Sequence, residues 1–398
     1  MSPRPEAPAP LSRRGPRPLL LHLGLAWMKS NGLSGESPNW SSVWPASWNE
    51  MAKIGQIPDP KAALEALLPV DRELIAGIAA YRRAPYERAL REPPVIWEEG
   101  ESRLLDYGGT GPAVLFVPSL INRAYILDLM EDGSMLRWLS DQGLHPYLLD
   151  WGWPGAVERQ FSLTDYIAGR LERALAAVPE PVVLVGYCMG GLLALAAALR
   201  AQGAGTGRVR GLGLLATPWD FHAGGAEAAR RVAETLPALE PVMQFSGTLP
   251  IDALNSLFTM VDPHGVGDKF RDFAGQDKAS ARARRFVAME DWLADGVPLA
   301  APVARETLAG WYGANAPARG QWRVAGLAVN PASLEIPAFC AIPARDRVVP
   351  AVSAQALARK LPQVNVIEPK AGHVGMVAGA HAESSLWRPF TAWVHSLC

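Results

Sequence analysis

Cys188 sits in Gly186-Tyr187-Cys188-Met189-Gly190-Gly191, and a cysteine with glycine two residues away on each side can serve as a nucleophile. The reason is steric. A nucleophile held on a sharp strand-to-helix turn leaves no room for side chains at the flanking positions. The start of a helix also favours a thiolate, and Gly191 would let that helix pack closely on its sheet. Taken alone, the pattern also fits a buried small residue at a turn, so its partners decide. A thiol nucleophile needs a base, and the base needs an orienting carboxylate. Asp346 lies in the charged turn Ala344-Arg345-Asp346-Arg347-Val348-Val349-Pro350, and His373 lies in Ala371-Gly372-His373-Val374-Gly375-Met376, between glycines. Nucleophile, acid and histidine thus follow one another in the order that a nucleophile-elbow fold requires. One oxyanion donor is expected at the backbone N–H of Met189, and another at Leu120 or Ile121 in Ser119-Leu120-Ile121-Asn122. His145, His222 and His264 have no matching context and read as structural or surface residues.

These residues need strand ends to hold them. Ala113–Val117, Pro146–Asp150, Val182–Gly186, Leu212–Ala216, Ala338–Ile342 and Val364–Ile367 are short apolar runs. Helical patterns separate most of them, including Leu163–Val178, Leu192–Leu199 and Ser353–Leu361. Apolar strands alternating with helices make a mainly parallel sheet covered on both faces. With the elbow, this predicts an α/β class and an α/β-hydrolase fold. The interval 219–335 is too long for a connection and holds helical patterns of its own, Ser280–Leu293 and Ala304–Tyr312. It reads as an inserted cap between core segments 101–218 and 336–398.

Ahead of the core, residues 1–17 read as a disordered tail and 18–100 as a helical and extended segment. That segment contains a short amphipathic helix from Leu19, a Trp/Ser/Pro-rich extended stretch over Trp40–Trp48, and a helical pattern over Asp59–Tyr86. The last of these carries Leu64, Leu67, Leu68, Ile75 and Ile78 and is broken at Pro69. Arg4, Arg13, Arg14 and Arg17 before Leu19–Trp27 imitate a signal peptide. The run contains His22, is too short to span a bilayer, and has no small-residue cleavage site after it.

Composition narrows the function. Hydrophobic residues make up 49% and charged residues 19% of 398, with a formal net charge of -1. That is a globular balance with no electrostatic call for nucleic acid. Three cysteines are too few and scattered for a disulfide framework, which points to a reducing compartment with a thiol free for chemistry. No metal-ligand spacing occurs, and no cofactor is expected. Most tryptophans, among them Trp151, Trp153, Trp292 and Trp311, are expected in the core.

Gly186 to Gly191 resembles the modified lipase box of the polyhydroxyalkanoate synthases, where cysteine replaces serine. Val117-Pro118-Ser119-Leu120-Ile121-Asn122-Arg123-Ala124-Tyr125-Ile126-Leu127-Asp128-Leu129 closely resembles a long and more specific segment of that family. Leu149-Asp150-Trp151-Gly152 is similar to its Asp-Trp-Gly strand end, and Asp346–Pro350 and Gly372–Gly375 match its acid and histidine loops. The resemblance runs from about Pro112 to the C-terminus. It implies cytoplasmic transfer of 3-hydroxyacyl groups from coenzyme A thioesters to a growing polyester chain, at or near the granule surface. It also implies Cys188, Asp346 and His373 as the catalytic set. The size is closer to the shorter synthases, so a second synthase subunit or a homodimer is the expected assembly. Two other readings compete. One is a polyester depolymerase or hydroxyacyl-CoA thioesterase using the same triad with water, and the other is a non-catalytic granule-binding protein.

Overall fold

The computed structural model describes residues 13–30 and 71–397, and it divides into two compact units, 1–87 with 262–294 and 88–261 with 295–398. The larger unit is built on an eight-stranded sheet. Its strands are β1 (Val95–Glu99), β2 (Ser102–Asp106), β3 (Ala113–Val117), β4 (His145–Asp150), β5 (Val182–Tyr187), β6 (Val209–Leu215), β7 (Ala338–Ala341) and β8 (Val364–Ile367), in the spatial order β1-β2-β4-β3-β5-β6-β7-β8. All neighbours from β4 to β8 are parallel, while β2 runs antiparallel to both β1 and β4. The α/β-hydrolase architecture expected from the sequence is therefore present.

Side-chain alternation along the strands separates the two faces. Ala113, Leu115 and Val117 of β3, Val182 and Leu184 of β5, and Ala338 and Cys340 of β7 share one core with helix Met189–Gly203. Phe116 and Phe339 turn to the opposite face, where their rings lie 6.1 and 5.5 Å from Phe390 of helix Arg388–His395. Both faces are covered, which is why β3 and β5 are buried at every position and read as unbroken apolar runs. Each fully buried phenylalanine there contributes about 1.5–3 kcal/mol.

Six strands were legible as apolar runs; two were not. β1 is largely exposed and β2 carries Arg103, so neither shows a continuous pattern, and the antiparallel hairpin turns at Gly100. β6 starts at Val209, earlier than its apolar run, because Arg210 interrupts that run with an exposed side chain. It stops at Leu215 because Ala216 takes a left-handed φ of 47°.

Within the larger unit, the segments 219–261 and 295–335 lie between β6 and β7. Leu239, Met243, Leu254, Leu308 and Trp311 from them join the same core as Met189 and Leu120. Residues 262–294, which the sequence places in the inserted cap, group instead with the N-terminal unit. Tyr81 of helix Arg72–Arg82 meets Phe270 and Phe286 edge-on at 5.7 and 6.5 Å. A Cβ on Gly77 would sit 1.9 Å from the Phe270 carbonyl oxygen, so these backbones touch. Long-range apolar matching of this kind leaves no mark in local sequence.

Arg13 and Arg17, assigned by sequence to the tail, are held in this same unit. Arg13 pairs with Asp291 at 2.6 Å, and Arg17 Nη1 donates to the Ala294 carbonyl at 3.1 Å. The amphipathic helix occupies Leu19–Ser30. The helix at 72–82 stops short of Tyr86 because Pro85 disfavours helical geometry at Ala84. Trp40–Trp48 and the Leu64–Pro69 part of the expected helix lie outside the described residues. Trp151, Trp292 and Trp311 are buried and Trp153 is exposed. No described helix is long and apolar enough to cross a membrane.

Candidate active site

β5 ends at Tyr187 and helix Met189–Gly203 begins two residues later, which leaves Cys188 alone at the turn. Its φ of 56° and ψ of -126° lie where a side chain is strained, a conformation that costs about 1–3 kcal/mol and is retained where the surroundings enforce it. The surroundings do so. The Cys188 N–H donates to Leu215 O at 2.8 Å, tying the turn to β6. A Cβ on Gly186 would lie 2.3 Å from Gly191 Cα, one on Gly190 2.1 Å from Val117 O, and one on Gly191 1.9 Å from Thr217 Oγ1. All three glycines are thus demanded by close approach.

Asp346 and His373 meet because the β7–β8 pairing continues into their loops. Ile342, Ala344 and Arg345 donate backbone N–H groups to Ile367, Pro369 and Ala371 at 2.9, 2.9 and 3.0 Å. His373 Nδ1 lies 2.7 Å from Asp346 Oδ2, with side chains 10% and 0% exposed. The other carboxylate oxygen accepts the N–H groups of Val348 and Val349 at 2.8 and 2.9 Å. The carboxylate is therefore saturated and its orientation fixed. The same imidazole senses the charge of Cys188. Burial opposes a charged His373, but the negative charge of Cys188 and the bond to Asp346 outweigh it and push the ring up to about 10. The three residues form one chain of contacts, and half-buried Cys188 stands at its open end.

The oxyanion donors are less evenly placed than the sequence suggested. Met189 heads its helix, so its N–H has no acceptor within that helix. Ile121, one of the two loop donors expected, already donates to Ser119 Oγ at 3.0 Å. A serine bonding two residues ahead is a turn former, and here it removes that N–H. Leu120 is left as the loop candidate. Trp151 Nε1 donates to Pro118 O at 3.0 Å and fixes the start of the loop.

Further along, fully buried Asp128 accepts from Arg88, Arg137, Ser134 and Tyr107 at 3.0, 2.8, 2.6 and 3.2 Å. That network anchors the far end of the segment which the sequence marked as specific. Arg123 pairs with Asp295 at 3.5 Å.

Other residues at the site were not legible in the sequence. Tyr187 donates its hydroxyl to the His373 carbonyl at 3.3 Å and lays its ring 5.2 Å from the imidazole. Tyr312, from the segment between β6 and β7, is half-buried, and loss of solvent followed by the charge of Cys188 pushes its phenol up to about 12. His222 Nε2 holds the Tyr312 carbonyl at 2.8 Å, which gives that histidine a structural task. His145 pairs with Asp106 at 2.7 Å on the first residue of β4, at the opposite strand end from the triad.

The resemblance to polyhydroxyalkanoate synthases is borne out by curated relatives named poly(3-hydroxyalkanoate) polymerase subunit PhaC. The one from Haloferax mediterranei is 29% identical over 75% of this chain and 63% of its own. That from Haloarcula marismortui is 26% identical over 75% and 66%, and that from Synechocystis 29% over 71% and 77%. The chain thus spans just under two thirds of the first two relatives. The model of the Alpha/beta hydrolase family matches residues 114–383, from β3 through the triad. On sheet order, elbow and matched span together, this chain belongs to the alpha/beta hydrolase family.

Proposed function

We propose that the chain is an acyltransferase that polymerises 3-hydroxyacyl groups from coenzyme A thioesters into a polyester, through an acyl intermediate on Cys188. The observation that carries this reading is the imidazole of His373, bonded on one side to Asp346 at 2.7 Å and facing Cys188 on the other. The names of the relatives supply the substrate class.

The Cys188 sulfur attacks the thioester carbonyl, and the developing oxyanion is met by the N–H of Met189, with Leu120 as second donor. As the carbon–sulfur bond of the substrate breaks, the leaving thiolate takes the proton held by His373. One thioester is exchanged for another, so the acyl group stays activated. His373, now neutral, accepts the hydroxyl proton of a second monomer or of the chain end. That oxygen attacks the acyl-cysteine, forms the ester and returns the thiolate beside a protonated imidazole. Asp346 keeps Nδ1 protonated throughout and stabilises the imidazolium. Water is the competing nucleophile, and a transferase must keep it from the acyl-cysteine while the second hydroxyl attacks. A second subunit or a second copy of the chain is the proposed partner, and the granule surface the proposed place of action.

Incubation with 3-hydroxybutyryl-CoA tests the reading. Stoichiometric acylation of Cys188 seen by mass spectrometry, with release of coenzyme A and insoluble polyester, is the expected result. Free 3-hydroxybutyrate without polymer would establish the hydrolase instead. Full activity in Cys188→Ala would remove any role for the thiol.

A further inference from the structure

The loop that buries Asp346 turns its neighbours outward. Asp346 Oδ1 takes the N–H groups of Val348 and Val349, and this tight turn leaves Arg345, Arg347 and Val348 exposed while the carboxylate is fully covered. The histidine loop does the same with Lys370, which is exposed three residues before His373. The Arg345 N–H donates to Ala371 O at 3.0 Å, so Arg345 and Lys370 stand on two stitched loops. Among the described residues, neither side chain forms an ion pair. Glu368, an acidic neighbour, is engaged by Gln355 Nε2 at 3.0 Å.

The positive charge is local, since the whole chain carries a formal net charge of -1. It adjoins exposed apolar surface: Val348 and Val352 are 39% and 46% accessible. Pro350 between them abuts the segment that follows β6, where a Cβ on Gly224 would lie 2.8 Å from Pro350 Cγ. Cations and apolar surface therefore coincide at the carboxyl ends of the strands, where an open α/β sheet takes its ligand.

We propose that Arg345 and Lys370 bind the phosphate of a phosphorylated pantetheine thioester, with Val348 and Val352 offering apolar contact to its arm. This rests on the acyltransferase reading and adds to it the element that selects the carrier. The phosphate could belong to free coenzyme A or to a phosphopantetheine arm on a carrier protein; the chemistry recognised is the same.

Calorimetric titration of coenzyme A, 4′-phosphopantetheine and pantetheine into the wild type and into Arg345→Gln/Lys370→Gln decides it without requiring turnover. The wild type should bind both phosphorylated probes more tightly than pantetheine. In the double variant that preference should fall about fivefold and respond less to added salt, while Arg345→Lys alone should keep most of it. Tighter binding of coenzyme A than of 4′-phosphopantetheine would identify the free coenzyme as the source; equal binding would identify the carrier arm. A variant that keeps the wild-type preference, or a wild type that binds pantetheine equally well, would overturn the assignment. If the phosphorylated probes bind as expected but 3-hydroxybutyryl-CoA is not turned over, the acyltransferase reading fails and the phosphate site stands.

Discussion

His373 Nδ1 and Asp346 Oδ2 lie 2.7 Å apart, between two loops that carry the β7–β8 pairing three hydrogen bonds past the sheet. Because the carboxylate also holds two backbone N–H groups, it cannot turn away from the ring. Asp346→Asn keeps the shape but can no longer enforce the tautomer. The expected loss in kcat is about 10⁴-fold with little change in KM, by the behaviour of such triads. Steady-state kinetics on the purified variant checks this, and a loss confined to KM would contradict it.

The raised His373 sets the pH response. Its folded value, about 10, stands above the ordinary 6.5. Its contribution to stability is therefore complete below about 6.5 and is lost as pH rises through about 10. Urea unfolding of the wild type should show stability falling over that window, and Cys188→Ala should flatten the fall, because the negative charge next to the ring is gone.

The same pairing predicts thiol selectivity. Cys340 is 3% exposed, and burial pushes its thiol up to about 12. Iodoacetamide at neutral pH should label Cys188 well before Cys340, read by peptide mapping. Equal labelling of the two would mean that β7 opens readily.

At the elbow, Gly191→Ala places a methyl group 1.9 Å from Thr217 Oγ1, and Gly190→Ala one 2.1 Å from Val117 O. Either should cost about 1–3 kcal/mol or more by overpacking, together with most of the activity. Denaturant titration and acylation assays would report both. A Gly190→Ala protein of wild-type stability would show that β3 can yield.

Asp128 is completely buried among Arg88, Arg137, Ser134 and Tyr107. Removing Arg137 leaves that charge undercompensated, and Arg137→Ala should cost about 3–5 kcal/mol, by analogy with broken buried ion pairs. Asp128→Asn, which loses the charge but keeps the shape, should cost less. Chemical denaturation orders the two variants, and the reverse order would sink this account of the network.

Local sequence determined the elbow, the order of the three site residues and six of the eight strands. Each is written in short-range terms: an apolar run buried on both faces, glycines beside a cysteine, a charged turn after a strand. The β1–β2 hairpin escaped because exposed and charged residues break its pattern. The grouping of 262–294 with the N-terminal unit escaped because the match of Tyr81 with Phe270 and Phe286 spans more than 180 residues of chain. Tertiary structure alone decided that the Tyr187 ring lies against His373, that the Tyr312 phenol senses the charge of Cys188, and that Arg345 and Lys370 share a rim. Sequence spacing names the groups that can react. Which of them are free to do so depends on partners brought close only by folding.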